Sequence, residues 1–311
     1  MEEDLYMSSV FEKARAFMYR NARPLDLARF QYHFENGSKE AVMHVLSHYQ
    51  NEDGGFGHAV EADCWNPNST PLHSNTASEI MREINMEDCT HPVIRGLLNW
   101  YASGKHFDGK HWAITVESNN DYPHAPWWHT DSVSKCHTDY NGTAQIAGFI
   151  VRYAERNSDL FRLGVRVANE AIEALSPNEI NDMHTCACYV RMADLFEKSA
   201  ATTYIPYEAL QQKLKCSVHK LIETDRTKWN RYVCQPSCFI QSRDSIYYAD
   251  NREIAEYECT HIMNTQQADG SWNIGWTWGN RYPEEWCISK NWWKGQWVIQ
   301  NLLYLKGFDC L

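Results

Sequence analysis

The chain has 311 residues, 43% hydrophobic and 22% charged, which is the balance of a globular protein and not of a disordered one. Its 29 basic and 40 acidic residues leave a formal charge of −11, which argues against nucleic acid and an anionic membrane surface as partners. No apolar run approaches the ~20 residues of a spanning helix, the acidic start Met1-Glu2-Glu3-Asp4-Leu5 is unlike a signal peptide, and 11 Cys without a framework spacing read as reduced thiols, so a cytoplasmic location is expected.

Helical spacing dominates the chain in order. Residues 8–21 place Val10, Phe11, Ala14, Phe17 and Met18 on one stripe, and 39–50 do the same with Ala41, Val42, Val45, Leu46 and Tyr49. Residues 75–85 and 92–102 read as a helical pair, the second opened by Pro92. Residues 141–156 and 159–175 follow. Ser176-Pro177-Asn178-Glu179 reads as a capping box that starts a helix running through about Phe196. Further helices are expected over 206–224, 251–265 and 289–306, and no run alternates as a strand should.

Four long segments separate these helices: 51–72, 104–140, 226–250 and 266–288. Loops beyond ~12–15 residues are uncommon and tend to carry function. These hold much of the aromatic content, which totals 13 Trp, 17 Tyr and 11 Phe. A turn element recurs in them. Asp53-Gly54-Gly55-Phe56 is echoed by Asp108-Gly109-Lys110-His111-Trp112, loosely by Asp225-Arg226-Thr227-Lys228-Trp229, and clearly by Asp269-Gly270-Ser271-Trp272. A period of roughly 50 residues with two helices per unit describes an array of helical hairpins. In each turn Asp bonds its own backbone, Gly takes positive φ, and the aromatic plugs back between helices.

Gln266-Gln267-Ala268-Asp269-Gly270-Ser271-Trp272 resembles the Gln-Trp repeat motif of squalene and terpenoid cyclases. Tyr49-Gln50-Asn51-Glu52-Asp53-Gly54-Gly55-Phe56-Gly57 is similar to the Gly-Gly-Phe form shared with protein prenyltransferase β subunits, and 294–305 resembles the helix that follows such a motif. The resemblance implies an all-α fold: a single domain over 1–311, an α/α toroid of about five or six helical hairpins around a central cavity. It does not extend to the families' chemistry. Neither the Asp-x-Asp-Asp nor the Asp-Asp-x-x-Asp motif occurs. The segment 182–188, with His184, and Cys287 after Glu284 and Glu285 faintly resemble the zinc ligands of prenyltransferases, but in the opposite chain order. No metal and no cofactor is therefore expected.

Candidate site residues cluster in three places. In Gly57-His58-Ala59-Val60-Glu61-Ala62-Asp63-Cys64-Trp65, Glu61 and Asp63 fall on the same side of an extended chain. Two close carboxylates can split their pKa values, leaving one as a general acid, with His58 and His73 near as bases or hydrogen-bond donors. The alternative is that the carboxylates cap the next helix. In 121–129, two prolines stiffen a segment whose Trp127, Trp128 and His129 can line a ligand. Downstream of it, His137-Thr138-Asp139-Tyr140 leads into a helix whose N-terminus favours a charged Asp139. In the C-terminal cluster, Trp293 and Trp297 share a helix face and read as core, whereas Trp276 and Trp278, between Gly275 and Gly279, read equally well as ligand contacts.

The candidate catalytic residues are thus Asp63, Glu61, His58 and Asp139. The candidate substrate contacts are Phe56, Trp65, His73, Trp127, Trp128, His129, Tyr140, Tyr248, Trp276, Trp278 and Trp286. Three functions fit. The first is a terpenoid-cyclase-like enzyme using carboxyl acid catalysis on an isoprenoid. The second is a carbohydrate-active lyase or hydrolase on an oligosaccharide, with His or Tyr as base for β-elimination. The third is a toroid that only binds its ligand. The oligomeric state is left open by the sequence.

Overall fold

The computed structural model describes residues 2–132, 139–178, 180 and 182–311, with side chains from residue 9 onward. His137, Thr138 and Glu179 lie outside the described residues. The described chain is all-α, with no strand in it: α1 Glu2–Asn21, α2 Pro24–Phe34, α3 Lys39–Ser47, α4 Pro71–Glu83, α5 Pro92–Ala102, α6 Thr143–Tyr153, α7 Asp159–Ala174, α8 Met183–Lys198, α9 Tyr207–Leu221, α10 Arg252–Thr265 and α11 Pro283–Gly307. No described helix is long and apolar enough to cross a membrane. The chain forms two compact units, Met1–Val45 with Val218–Leu311, and Leu46–Ser217.

In the first unit α11 packs on α1, α2 and α10. Its Pro283 stands at the first helical turn, where a missing N–H costs nothing. Val298, Ile299, Leu302 and Leu305 are buried along it. Helix α2 is absent from the sequence reading because its buried face carries charge. Asp26 is fully buried and receives Arg23 at 2.6 Å and Arg29 at 3.0 Å. A charged triplet at helical spacing looks like a solvated face until the ion pairs that neutralise it are seen.

The second unit is organised on α6, which packs against α7 and α8 and also touches α4 and α5. Residues 143–151 of α6 are all buried, as a helix surrounded by others requires. The start of α8 differs from the Ser176-Pro177 expectation. Ser176 accepts Ile180 N–H at 3.0 Å in a turn, and α8 begins at Met183. Asp182 caps it instead, receiving Thr185 N–H at 2.7 Å and His184 N–H at 3.3 Å. A carboxylate at a helix N-terminus also meets the positive end of the dipole, which Ser cannot exploit.

Two of the recurring turns are built alike. Gln50 Nε2 donates to Gly54 O and Val93 O, both at 2.9 Å, and Gln266 Nε2 donates to Gly270 O at 3.1 Å and Val10 O at 2.9 Å. Asp53 Oδ1 accepts Gly55 N–H at 3.1 Å, and Asp269 Oδ1 accepts Ser271 N–H at 2.9 Å. Each Asp is paired to a lysine at 2.9 Å, Lys105 in one and Lys294 in the other. Gly54 (φ 89°) and Gly270 (φ 92°) press on a neighbouring helix so closely that a Cβ would sit 2.1 Å from Gly96 O and 2.0 Å from Lys13 O. Each turn therefore staples the end of one helix to the flank of another, and buries Phe56 or Trp272 behind it. Asp108 makes the same Asx turn, to Lys110 N–H and His111 N–H, but a Cβ on Gly109 would meet nothing within 4 Å, so this turn is not pressed on a helix. Asp225 bonds Thr227 N–H at 3.1 Å, with Trp229 buried after it.

Candidate functional site

The loop segments of the second unit meet at an antiparallel bridge between Cys64 and His124. Trp65 N–H donates to Pro123 O and Ala125 N–H to Asp63 O, each at 2.8 Å. Side-chain amides fix the rest. Buried Asn66 donates to Ser118 Oγ at 2.8 Å and Asn119 Oδ1 at 2.9 Å, and its own Oδ1 accepts Asn68 N–H at 3.0 Å. Asn119 passes the chain on to Trp128 O at 3.1 Å. Asn120 brackets Thr130, accepting its N–H at 2.9 Å and donating to its carbonyl at 2.8 Å. These asparagines imitate strand ladders where no strand exists, and the sequence reading missed them; the Ser118-Asn119-Asn120 run was the available signal.

Glu61 and Asp63 are not on an extended strand. Cys64 N–H donates to Glu61 O at 3.1 Å, so the pair lies on a turn and the same-side argument fails. Glu61 is half-buried and accepts Thr76 Oγ1 at 3.2 Å; Asp63 is buried. Burial pushes the Cys64 thiol up to about 12, with the two carboxylates adding to the effect. His58 is exposed at φ 56°, followed by Ala59 at φ 59°, and meets Asn51 Oδ1 through Nε2 at 2.8 Å. Two consecutive left-handed non-glycine residues cost energy that the surrounding bonds must hold.

His73 is fully buried and does not reach solvent. Nδ1 lies 2.7 Å from Thr70 Oγ1 and Nε2 lies 2.9 Å from Cys64 O. The carbonyl can only accept, so Nε2 carries the proton and Thr70 donates to Nδ1. Burial pushes this histidine down to about 4, and it is neutral at physiological pH. Its part is to tie α4 to the loop. Thr70 also caps α4, accepting His73 N–H at 3.2 Å. Thr70→Ala removes the cap and orphans Nδ1, and is expected to cost about 2–3 kcal/mol in a denaturant titration.

The most chemically suggestive pair is His124 and His129. Their rings lie nearly parallel, at 6°, with centroids 5.2 Å apart and His124 Nε2 3.0 Å from His129 Nδ1. His124 is fully buried, and its Nδ1 stands 2.6 Å from Tyr122 O. A carbonyl there forces the proton onto His124 Nδ1. Its Nε2 is then an acceptor, so His129 must donate through Nδ1. The bond order runs one way, and the neutral His129 is left with its lone pair on Nε2. That nitrogen lies 3.6 Å from Asp131 Oδ1, a carboxylate mostly in water. Trp127, on the turn between the two histidines, is 44% exposed, while Trp65 and Trp128 are half-buried.

The remaining candidates disperse. Phe56 is buried in its staple. Asp139 is exposed and accepts Asn141 N–H at 2.8 Å, three residues before Gly142, which precedes α6. Tyr140 is buried against His111 and Tyr189, and burial raises its hydroxyl pKa. Tyr248, Trp276, Trp278 and Trp286 belong to the first unit. Tyr248 donates to Glu256 at 2.5 Å. Trp278 is 1% exposed and lies against Trp286, which makes both of them core. Trp276 is half-exposed, with Tyr232, Trp293 and Trp297 edge-on to it at 5.0–5.2 Å.

Comparison of the chain with protein-family models, with curated proteins and with solved structures found no match. Among the described residues no three His, Cys, Asp or Glu side chains converge as a metal cradle. A groove in the second unit is lined by Asn51, Glu52, Asp53, Asn68, Ser69, Lys105 and His106. From its Asn68 a chain of hydrogen bonds runs through the buried Asn66 and Asn119 to the Trp128 carbonyl, beside His129 in sequence.

Proposed function

We propose that the second unit carries a carbohydrate-active site in which His129 is the general base of a β-elimination. The observation that carries this reading is the His124–His129 bond, with the Tyr122 carbonyl behind it. It holds the His129 ring in place and keeps Nε2 unprotonated in the neutral state, as a base must be. When Nε2 takes a proton, the imidazolium keeps its Nδ1–H on His124 and meets the Asp131 carboxylate. An exposed Trp127 offers a flat face for a sugar ring, and the groove walls offer amides, hydroxyls and carboxylates for sugar hydroxyls. The substrate is an oligosaccharide with a uronic unit, because elimination needs a carbon acidified by an adjacent carboxyl. A polar wall favours this over the isoprenoid reading, which wants an apolar, aromatic cavity.

We also propose the α/α toroid as the arrangement of the helices. Its support is the resemblance of the two motifs, together with their equivalent Gln, Asp and Gly contacts.

The test is a panel of uronate-containing oligosaccharides, read by the ultraviolet absorbance of the unsaturated product. His129→Ala is expected to lower the rate by ~10²–10⁴-fold, the usual worth of a general base. An unsaturated product formed at the wild-type rate by folded His129→Ala removes His129 from the chemistry. A thermal shift with sugars but no product supports the binding-only reading, and a shift with isoprenoids alone supports the cyclase-like one.

A further inference from the structure

Helices α4, α6 and α8 of the second unit run in the same direction. Gln145, in the first turn of α6, donates to Asn75 O and Ser78 Oγ on α4 at 3.3 and 3.2 Å, and Gly142, just before α6, donates to Cys188 Sγ on α8 at 3.2 Å. The opposite ends of these helices enclose a cavity of about 340 Å³, lined by Asn85, Glu87, Arg152, Tyr153, Lys198 and Ser199. Helix C-termini attract cations, and three side chains of that charge gather around it. Arg156 donates to Ser199 O at 2.7 Å, and Lys198 pairs with Asp194 at 3.0 Å. Arg152 is differently placed. Its Nη2 donates to Asn85 Oδ1 at 3.2 Å and to Met86 O at 3.3 Å. Its guanidinium carbon lies 5.3 Å from the centre of the Tyr153 ring, whose hydroxyl is itself fixed on Met86 O at 2.6 Å. Its Nη1 is buried, and among the described residues it has no hydrogen-bond partner and Arg152 has no carboxylate paired with it. Glu87, in the same cavity wall, takes the Asn85 amide instead, at 3.1 Å.

We propose that this cavity binds a small ligand through an oxyanion, a phosphoryl or carboxylate group, with Arg152 as its anchor and Lys198 as the second cation. A buried guanidinium N–H without an acceptor is costly, and an oxyanion supplies both the acceptor and the opposite charge. The bonds to Asn85 and Met86 and the contact with Tyr153 hold the guanidinium before the ligand arrives, so little side-chain freedom is lost on binding. The walls set the rest of the ligand. Tyr153 and Ser199 each donate their hydroxyl hydrogen to a carbonyl, Met86 O at 2.6 Å and Phe196 O at 2.9 Å, which leaves both oxygens as acceptors. The exposed Glu87 adds a carboxylate, so a ligand with a hydroxyl or amine beside its oxyanion fits better than one that is anionic throughout. The cavity is at the lower end of the roughly 300–1,000 Å³ of ligand pockets, which keeps that ligand small. The site stands independently of the sugar reading, none of whose residues line it.

The experiment titrates the full native chain with inorganic phosphate and, separately, with acetate, at an ionic strength held constant with sodium chloride, and follows the backbone amides by proton–nitrogen correlation NMR. The expected result is a set of saturable shifts at Asn85, Met86, Ser199 and Ala200 that share one Kd. Shifts with phosphate alone assign a phosphoryl group, with acetate alone a carboxylate, and with both the contact the two have in common. Arg152→Gln keeps an N–H donor and loses the charge, and is expected to raise that Kd by about 10–100-fold. Glu87→Gln is expected to lower it, because a like charge leaves the wall. A wild type that saturates with neither ion, an Arg152→Gln chain that binds as tightly as wild type, or a Kd that Glu87→Gln leaves unchanged or raises overturns the proposal. Where Arg152→Gln folds poorly, the wild-type titration and the exposed Glu87 decide it.

Discussion

Gly54→Ala is expected to destabilise the protein by about 2–5 kcal/mol in equilibrium denaturation, and Gly270→Ala by a similar amount. Two costs combine. Each glycine has φ near 90°, where an L side chain pays about 1–2 kcal/mol. Each also has backbone in the way: Gly96 O at 2.1 Å from the new Cβ in one case, Lys13 O at 2.0 Å in the other. A carbonyl in the middle of α5 or α1 cannot swing aside as a side-chain end does, so the helices must part and strain the Gln50 or Gln266 bonds that bridge them. Gly104 isolates the first cost. Its φ is 71°, yet nothing lies within 4 Å of its Cβ direction. Gly104→Ala should lose only about 1–2 kcal/mol. Equal losses at Gly54 and Gly104 would mean that the staple is not a tight contact.

Glu258 should give the largest pH effect. It is fully buried on α10, accepting Ser237 N–H at 2.8 Å and Ser237 Oγ at 2.5 Å. Burial raises its pKa to about 7, and the bonds from Ser237 only partly offset this. In the unfolded chain the same carboxyl ionises near the ordinary 4.5. Between these values the folded state binds a proton that the unfolded state has released, so stability falls as pH rises through that window. Below it the contribution is fully present, and above about 7 the loss is complete. A shift of this size corresponds to about 3 kcal/mol. Gln in place of Glu258 keeps an acceptor for Ser237 N–H and carries no charge. Glu258→Gln is therefore expected to match wild type near pH 5 and exceed it at pH 8 by up to about 3 kcal/mol. Parallel stability curves for the two proteins would contradict this assignment.

The parts of the fold legible in the sequence are those where one local signal decides. Pro92 and an apolar stripe define α5 to the residue, Pro92–Ala102. The Gln-to-aromatic motifs mark the two staples, because a turn that close to a helix demands glycine. Helix α2 was hidden by Asp26, since a buried charge looks like a surface one until Arg23 and Arg29 are placed beside it. Of the segments expected to build one site, only those around Cys64 and His124 are seen to meet, whereas the C-terminal aromatic cluster belongs to the first unit. The Glu61 and Asp63 argument assumed an extended chain, and local turn bonding replaced it. The order of protons through Tyr122, His124 and His129 depends on a bond between two side chains, which spacing alone does not reveal.

Long-range proton–nitrogen correlation NMR of the histidine rings tests this order most directly. In their neutral forms His124 and His129 are both expected to carry the proton on Nδ1, with His129 Nε2 showing the shift of an unprotonated nitrogen. His73 is expected to carry the proton on Nε2, as an internal reference for the opposite tautomer. A neutral His129 ring protonated on Nε2 would leave no lone pair facing outward, and would contradict the base assigned to it.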